Sequence, residues 1–397
     1  MDYLIRPEWV FDSRSGELRR NTVVTTNGSL IVAVEDDRGN LEGNERIVVE
    51  APGCTLLPGL IDAHVHLCMD ARDSPVARPT DTAELAIRGV EGARATLRGG
   101  VTTVRCVGTP GNVDLLLRNA VEEHKILGPR IVAAGRPIAM TGGHGHRMAI
   151  EADGVDAVMA AVRSQIKEGT DVIKLMVTGG VLTPGGRPGT PQMLPEEIAA
   201  AVRVAHRAGR RVCGHAEGPD GVRDAVTAGI DSIEHGYFAD DDPLFEQMLA
   251  NPTYLVPTLV AYAAILDGRD SLPTDAVVNA EEAIERHRES FRAALKGGVP
   301  IAMGSDAGTP YNPHGENWRE VAHMMDQGMP AGAAIRAATL TAASLLGIDD
   351  IGVIEAGMTA DLVLVGGNPL ADITCLADVR DVWAGGRRLA PGNLAAA

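Results

Sequence analysis

Four short apolar runs of the sequence contain or end in side chains that can hold a metal ion. His64 and His66 lie two residues apart, and alternation along a strand directs both imidazoles to the same face. Two later runs contribute His215 and His235, and a fourth ends at Asp306. Imidazole and carboxylate ligands suit Zn²⁺, although manganese, iron, cobalt and nickel are also compatible with them. The pattern therefore predicts a metal site built from these five residues.

A divalent metal ion held by these residues would make bound water reactive. It would lower the pKa of that water and polarise a carbonyl oxygen. Asp306 could accept the proton of the water and then pass it to a leaving nitrogen, first as general base and afterwards as general acid. The residues therefore predict hydrolytic chemistry.

Lys174 is the unusual residue among these strand ends. As an ammonium it would repel a metal ion, and it would then reach solvent or a substrate anion instead. Carboxylation by CO₂ would convert it into a carbamate, whose two oxygens can bridge two metal ions about 3.5–4 Å apart. In that case His64 and His66 would bind one metal ion, and His215 and His235 would bind the other.

The candidate ligands occur in a regular alternation of two kinds of segment. Short apolar runs alternate with long segments of helical periodicity, which is the pattern of βα units around a parallel sheet. Eight such units over roughly 290 residues predict a (β/α)₈ barrel, a fold whose enzymes carry their chemistry at the carboxyl ends of the strands. The predicted strands are residues 59–67, 101–108, 130–138, 171–179, 211–217, 231–237, 253–260 and 300–306. The predicted helices include residues 82–98, 153–168, 195–208, 219–228 and 276–296.

The two ends of the chain have a different pattern from the middle. Both contain short β-branched runs, and Asn-Gly, Pro-Gly and Gly-Gly turn signals interrupt them. We therefore predict an α/β protein in which residues 1–57 and 350–390 form one composite β-domain. Residues 58–349 would form the barrel, and residues 391–397 would be an alanine-rich tail.

Composition and charge restrict the partners. The 397 residues include 36 Lys and Arg against 53 Asp and Glu, which gives a net charge of −17. No basic surplus exists to neutralise nucleic-acid phosphates or to anchor the chain on an anionic membrane. No apolar stretch approaches the roughly 18 residues that a membrane-spanning helix needs. We expect a small-molecule substrate and neither a nucleic-acid nor a membrane partner.

Cysteine usage and the first residues of the chain predict the compartment. Five cysteines without a C-x-x-C pair argue against a disulfide framework and against a cysteine-type zinc site. The first residues show no basic start followed by an apolar run, so we expect no signal peptide. Reduced thiols in a cytoplasmic protein are the simplest interpretation.

Two loops after predicted strands carry further polar side chains. Residues 141–147 contain His144 and His146 among glycines that leave room for a ligand, and residues 309–315 contain Tyr311 and His314. The two histidines of the first loop either point into water or lie over the metal site. Tyr311 and His314 could line the same pocket.

The chain resembles the amidohydrolase superfamily over nearly its whole length. The matching segments are LLPGLIDAHVHL, DVIKLMVTGG, HAEG, SIEHG, GSDAGTPYNPHG, AATLTAASLLGI and IGVIEAGMTADLVLV. Within the superfamily the chain is similar to the imidazolonepropionase-related group, which contains prolidases, Xaa-Arg carboxypeptidases and ochratoxin-type amidases. The resemblance implies a distorted (β/α)₈ TIM barrel with a composite β-sandwich domain, and it implies assembly into a homo-oligomer.

The resemblance also implies the metal centre. In that group two zinc ions are bridged by a carboxylated lysine at the position of Lys174. The family's ligand positions correspond to His64, His66, Lys174, His215, His235 and Asp306. The related enzymes use a histidine at the position of the 141–147 loop to polarise the scissile carbonyl or to hold a substrate carboxylate. We therefore expect His144 and His146 to contact substrate, with His144 taking part in catalysis.

Glu217 departs from the pattern of the related prolidases. Those enzymes carry at this position a tyrosine that contacts the substrate carboxylate. A glutamate at the same pocket edge would repel an anion and would accept a cation or a hydrogen-bond donor. Arg147, Arg187 or Tyr237 would then be the groups available for a substrate carboxylate.

Three main hypotheses about function, and one further alternative reaction, follow from these residues. The leading one is a binuclear hydrolase in which a metal-bridging hydroxide cleaves an amide-type C–N bond of a dipeptide or an N-acyl amino acid. The second is a mononuclear deaminase or cyclic-imidazolone hydrolase. Those relatives lack the lysine of strand four and carry a glutamate three residues after the strand-five histidine, where this chain has Gly218. Hydrolysis of a carbamate, urea or phosphoester is a further alternative. The third hypothesis, a barrel without metal or activity, conflicts with the filled ligand positions.

Overall fold

The computed structural model of the protein describes residues 1–38, 46–72, 81–183, 187–238 and 242–389. Within these ranges the chain forms an α/β fold. The strands are β1 (Tyr3–Asp12), β2 (Glu17–Arg20), β3 (Thr22–Asn27), β4 (Leu30–Asp36), β5 (Ile47–Pro58), β6 (Leu60–Val65), β7 (Val101–Cys106), β8 (Arg130–Ala133), β9 (Ile138–Ala139), β10 (Ile150–Glu151), β11 (Val172–Met176), β12 (Arg211–Ala216), β13 (Ser232–His235), β14 (Tyr254–Val256), β15 (Leu362–Gly366), β16 (Val379–Ala384) and β17 (Arg387–Leu389). The helices are α1 (Thr82–Arg98), α2 (Val113–Glu122), α3 (Val155–Glu168), α4 (Pro195–Arg207), α5 (Pro219–Thr227), α6 (Asp242–Ala250), α7 (Leu259–Asp267), α8 (Thr274–Lys296), α9 (Arg319–Asp326), α10 (Ala331–Ala337) and α11 (Leu340–Leu346).

The middle of the chain forms the predicted distorted barrel. Its strands make two parallel sheets, one in the order β6-β7-β8 and one in the order β10-β9-β11-β12-β13-β14. The backbone N–H of Asp171, just before β11, donates to the carbonyl of Ala133 in β8 at 2.9 Å, which connects the two sheets. The predicted runs at 59–67, 101–108, 130–138, 171–179, 211–217, 231–237 and 253–260 each contain one of these strands.

The eighth predicted strand, residues 300–306, is wrong as a regular strand. The segment forms only isolated parallel bridges, from Ile301 to Leu255 and from Ala307 to Val65. The reason is its local backbone. Asp306 has a φ of 59°, which an extended strand does not allow, and the N–H of Met303 donates to Ala337 instead of to a neighbouring strand. The segment still fills the eighth place between β14 and β6.

The helices that cover the barrel begin and end close to their predicted positions. The predictions 82–98, 153–168, 195–208, 219–228 and 276–296 correspond to α1, α3, α4, α5 and α8. Gly169 ends α3 in the left-handed conformation, with a φ of 91°, and its N–H donates to carbonyls of the last turn. A residue with a Cβ would be strained there, which explains why the helical pattern stops at a glycine.

Strands from both ends of the chain form a second sheet. Its order is β17-β16-β15-β5-β1-β3-β4, with β2 paired to β1. Strands β3, β4, β5, β15, β16 and β17 fall in the β-branched runs NTVVTTNG, SLIVAVEDD, ERIVVEAPGC, ADLVLVGGNP and VRDVWAGGRRL. The long central strand β1 precedes these runs and is not part of the prediction. The sheet has an apolar core of its own, which includes Ile5, Leu56, Leu362 and the fully buried Trp383. The domain boundaries at residues 57 and 350 stay a prediction, and the predicted tail at 391–397 lies outside the described residues.

The described ranges also bear on membrane crossing and on disulfides. No described helix is both long enough and apolar enough to cross a bilayer. All five cysteines are free thiols.

Candidate metal centre

The six predicted ligand residues line one cavity at the carboxyl ends of the barrel strands. The cavity has a volume of about 200 Å³. Each of the six residues is at most 9% exposed. They come from β6 or the residue after it, from β11, β12 and β13, and from the irregular eighth segment: His64, His66, Lys174, His215, His235 and Asp306. The fold therefore brings together residues that lie up to 242 positions apart (306 − 64) in the chain.

The first group of possible ligands is His64, His66 and Asp306. The Nε2 atoms of both histidines lie 3.4 Å from Oδ1 of Asp306. That oxygen is buried and has no hydrogen-bond partner in the described structure. Two imidazole nitrogens and one carboxylate oxygen thus converge without satisfying one another, and these are the atoms that a zinc-type cation requires.

The second group is His215, Glu217 and His235. Their ligand atoms all lie within 4.8 Å of one another. The rings of His215 and His235 are 4.6 Å apart between centroids, and the ring of His235 is 4.9 Å from that of His64. The two groups are therefore direct neighbours in one cavity.

The unsatisfied atoms test whether metal ions fit this site. Asp306 Oδ1, His215 Nε2 and Glu217 Oε2 are buried polar atoms without a hydrogen-bond partner among the described residues. Such atoms cost about 1–3 kcal/mol each unless a ligand occupies them. Burial also lowers the pKa of His66 to about 3, which keeps the imidazole in the neutral form that binds metals. The donor set therefore fits divalent cations.

Lys174 lies on β11 beside Cys213 of β12 and is 2% exposed. Burial in the barrel lowers the pKa of its amine from the ordinary value. An ammonium in this place would lose its hydration, so the environment favours the uncharged amine. The uncharged amine is the form that can react with CO₂.

The other ring nitrogen of three candidate ligands is held by a neighbouring oxygen atom. His64 Nδ1 lies 2.7 Å from Glu234 Oε2, and His235 Nδ1 lies 2.7 Å from the hydroxyl of Thr258. His66 Nδ1 lies 3.0 Å from the carbonyl of Gly108. All three contacts orient the rings. The carboxylate and the carbonyl can only accept, so they place a proton on Nδ1 of His64 and His66 and leave Nε2 to bind a metal ion.

Replacing Thr258 with alanine is expected to weaken metal binding about 10–100-fold, because His235 would lose the hydroxyl that orients its ring. The measurement is chelator competition with Zn²⁺ on purified protein. Thr253→Ala is the matched control. Thr253 is also buried, but it lies at the other end of β14 and its hydroxyl donates to the carbonyl of Ile230. Equal zinc affinity in the two variants would contradict the orienting role of Thr258.

A buried ion pair holds His64 through its Nδ1 atom, on the side of the ring away from Nε2. Arg105 on β7 is 2% exposed, and its Nη2 lies 2.7 Å from Oε1 of Glu234, which is fully buried. Arg105 also donates to the carbonyl of Ala63 at 2.6 Å and to the hydroxyl of Ser232 at 3.0 Å. Burial acts to raise the pKa of Glu234, but the Arg105 charge and the His64 contact outweigh it and bring that pKa to about 2. Glu234 therefore stays ionised and holds His64.

Sequence reasoning missed both members of this pair. The available signal was a charged residue inside each of two runs that were predicted to be buried strands. Arg105 stands in VTTVRCVG, and Glu234 stands next to a predicted ligand in DSIEHGY. A charge inside a buried strand needs a partner of opposite sign.

Two candidate ligands and one supporting residue have unusual backbone conformations. His235, Thr258 and Asp306 have φ values of 69°, 51° and 59°, a region that residues other than glycine rarely enter. Such conformations cost on the order of 1–3 kcal/mol each and are concentrated at functional sites. The strand ends are therefore bent so that the ligands face the cavity.

The predicted substrate residues of the 141–147 loop lie at the cavity. His144 and His146 line it, and the His144 ring stacks on His215 with centroids 4.2 Å apart. Thr183 holds His144 through a 2.6 Å contact to Nδ1. Glu217 also lines the cavity, and the hydroxyl of Tyr262 donates to its Oε1 at 2.5 Å. No sequence pattern marks Tyr262, which lies on helix α7.

Three other predicted pocket residues lie outside the cavity lining. Tyr237 is buried in an apolar cluster with Tyr262. Tyr311 is 40% exposed, with a φ of 62°. The Nε2 of His314 lies 3.2 Å from the carbonyl of Met69. Their contact with substrate stays a prediction.

Known proteins with a similar sequence or structure were found over most of the chain. A model of the amidohydrolase family matches residues 55–389. Ochratoxinase from Aspergillus niger is 29% identical over 366 residues, which cover 84% of this chain and 75% of that protein.

Two solved structures are similar over almost the full length. A Xaa-Pro dipeptidase with methionine bound in its active site has a TM-score of 0.90 at 35% identity, covering 98% of this chain and 100% of the other. A prolidase complexed with N-methylphosphonate-L-proline has a TM-score of 0.89 at 31% identity, with the same coverage.

Proposed function

Because the chain belongs to the amidohydrolase family and is a hydrolase acting on carbon–nitrogen bonds, we propose that it cleaves an amide-type bond of a small molecule, of the dipeptide or N-acyl amino acid type. The observation that carries this proposal is the pair of adjacent ligand groups, with Lys174 lining the same cavity. The related dipeptidase and prolidase, whose ligands are methionine and a proline derivative, support an amino-acid-type substrate.

The proposed centre holds two divalent cations, with zinc as the expected metal. His64, His66 and Asp306 would hold one cation, His215 and His235 would hold the other, and a carboxylated Lys174 would bridge them. When bound, such cations lower the pKa of water and polarise a carbonyl oxygen. The imidazole nitrogens and the buried carboxylate oxygen are ligand types suited to hold them.

Asp306 and His144 are the proposed catalytic residues. The buried Oδ1 of Asp306 would accept a proton from the attacking water and return it to the leaving nitrogen. His144, oriented by Thr183 and stacked on His215, would donate a hydrogen bond to the oxygen on which negative charge develops. His146, at the exposed side of the cavity, would contact the rest of the substrate.

The cavity wall also has an apolar part. Met148, Val181, Leu182 and Ile265 line the cavity together with the ligand groups. This wall would accept an apolar side chain or acyl group of the substrate. Cytoplasmic localisation and homo-oligomeric assembly complete the proposal.

Lys174→Ala is expected to reduce the metal content from two ions towards one or none per chain. The alanine would remove the only proposed group that bridges both ligand sets. Elemental mass spectrometry of zinc-loaded, desalted protein measures this ratio. Lys167→Ala on helix α3 is the control, since that residue lies outside the cavity lining. Two retained ions in Lys174→Ala would exclude a bridging role.

A mass-spectrometric product screen with zinc-loaded protein tests the proposed reaction. The panel mixes dipeptides, N-acyl amino acids, carbamates, and amino- or imidazolone-type heterocycles. Release of a free amino acid or amine from an acyclic amide is the expected result. Release of ammonia, or opening of a ring with nothing lost, would instead assign the protein to the deaminase or cyclic-amide alternative.

A further inference from the structure

Glu217 presents a buried carboxylate that the proposed reaction does not use. Its side chain is 2% exposed and lines the cavity. Oε1 accepts the hydrogen bond of Tyr262, whereas Oε2 has no hydrogen-bond partner in the described ranges. A buried carboxylate oxygen without a partner is costly, so this atom indicates that a ligand belongs there.

The neighbours of Glu217 show which kind of ligand fits. Oε1 lies 4.0 Å from His215 Nε2, which is another buried atom without a hydrogen-bond partner in the described chain. The ligand atoms of His215, Glu217 and His235 all lie within 4.8 Å of one another. Two donor atoms on one zinc ion, each at about 2.0–2.2 Å from it, are separated by no more than about 4.4 Å. The separation of 4.0 Å therefore lies within the range for two ligands of the same cation.

The charges of the two ligand groups support the same assignment. In the first group Asp306 contributes a negative charge beside His64 and His66. In the second group His215 and His235 offer imidazole nitrogens, which contribute no negative charge to the site. Without Glu217, this group would depend on carboxylation of Lys174 for any anionic ligand. Glu217 supplies one directly.

We propose that Glu217 is a ligand of the second cation, together with His215 and His235, and that Tyr262 is its positioning residue. The inference rests on the proposed function in requiring two cations. It replaces the contact between Glu217 and substrate that the sequence suggested, because the metal is itself the cation that this carboxylate accepts.

Tyr262 has the geometry of a group that orients a ligand. It is 3% exposed on helix α7, and its ring lies 4.6 Å from that of His287 between centroids. With the ring fixed in this way, the hydroxyl donates to Oε1 at 2.5 Å, and Oε2 has no hydrogen-bond partner in the described ranges. Carboxylates that bind metals are themselves usually held by such hydrogen bonds.

The test is a Zn²⁺ titration against a chromophoric chelator, in buffer equilibrated with CO₂. Glu217→Gln is expected to weaken the second zinc ion more than about 100-fold, since loss of an anionic ligand exceeds the 10–100-fold effects of supporting residues. Tyr262→Phe keeps the ring and is expected to weaken the same ion about 10-fold. The first zinc ion should bind equally in both variants. Glu246→Gln on the exposed side of helix α6 is the control.

The outcomes separate this inference from the proposed function. If the unsubstituted protein binds fewer than two zinc ions, the binuclear proposal itself fails. If it binds two and both variants bind the second ion with unchanged affinity, the assignment of Glu217 fails alone. If the variants then changed only the KM for substrates with a free ammonium group, Glu217 would be assigned to substrate binding instead. Thermal unfolding of each variant checks that it is folded.

Discussion

Asp306→Asn is expected to lower kcat about 10²–10⁴-fold, the contribution typical of a positioned general acid–base group. Oδ1 of Asp306 is buried, lacks a hydrogen-bond partner in the described chain and lies 3.4 Å from two candidate ligand nitrogens. Asparagine keeps the shape and an oxygen at this position, but its amide cannot take up a proton near neutral pH. Steady-state kinetics with the best substrate of the product screen measures the change.

The metal content of this variant must be measured on the same sample. A loss of kcat with retained metal would identify proton transfer as the function of Asp306, whereas a loss of metal would identify ligation. Asp153→Asn is a suitable control, because that residue is exposed and bonds to Thr141. Full activity of Asp306→Asn with full metal content would contradict the proposed mechanism.

Arg105→Met is expected to destabilise the fold by about 3–5 kcal/mol, because Glu234 would remain buried without its cation. Methionine has a similar length and fills most of the space, so lost charge compensation is the main effect. The measurement is the midpoint of denaturant unfolding of the metal-free protein, which keeps metal affinity out of the comparison. The double variant Arg105→Met/Glu234→Gln should recover part of the lost stability, because it has no buried charge in this pair.

Arg292→Met provides the comparison for Arg105. Arg292 pairs with Glu285 at 2.8 Å, but both side chains are exposed, and solvent screens such pairs. Little change in its unfolding midpoint is expected. An unfolding midpoint of Arg105→Met equal to that of the unsubstituted protein would show that the buried pair contributes no stability.

The order of the elements and the residues of the ligand groups could be predicted from local patterns. Spacing of two at the end of β6 places His64 and the following His66 on one face, and the ends of parallel strands meet at one edge. The same reasoning failed for residues 300–306, because it assumes extended backbone throughout. The positive φ of Asp306 turns its side chain into the cavity, and no residue type in the run signals that turn.

The contacts between distant segments could not be predicted. Tyr262 meets Glu217 across 45 positions of sequence, and Arg105 meets Glu234 across 129. Each residue alone is an ordinary polar side chain in an apolar segment. Only the packing of α7 over the barrel mouth, and of β7 near β13, shows which polar side chains are partners.

The pairing of β5 with β15 has a consequence for how the protein is made. Residues 54–58 bond to residues 362–366, so the strand that leads directly into the ligand-bearing β6 has one partner near the beginning of the chain and the other near its end. A ribosome adding about 5–20 residues per second needs on the order of 15–60 s to produce the intervening segment. Throughout that time one edge of β5 remains open to wrong partners. Chaperone capture of nascent chains should therefore decline once β15, β16 and β17 have emerged.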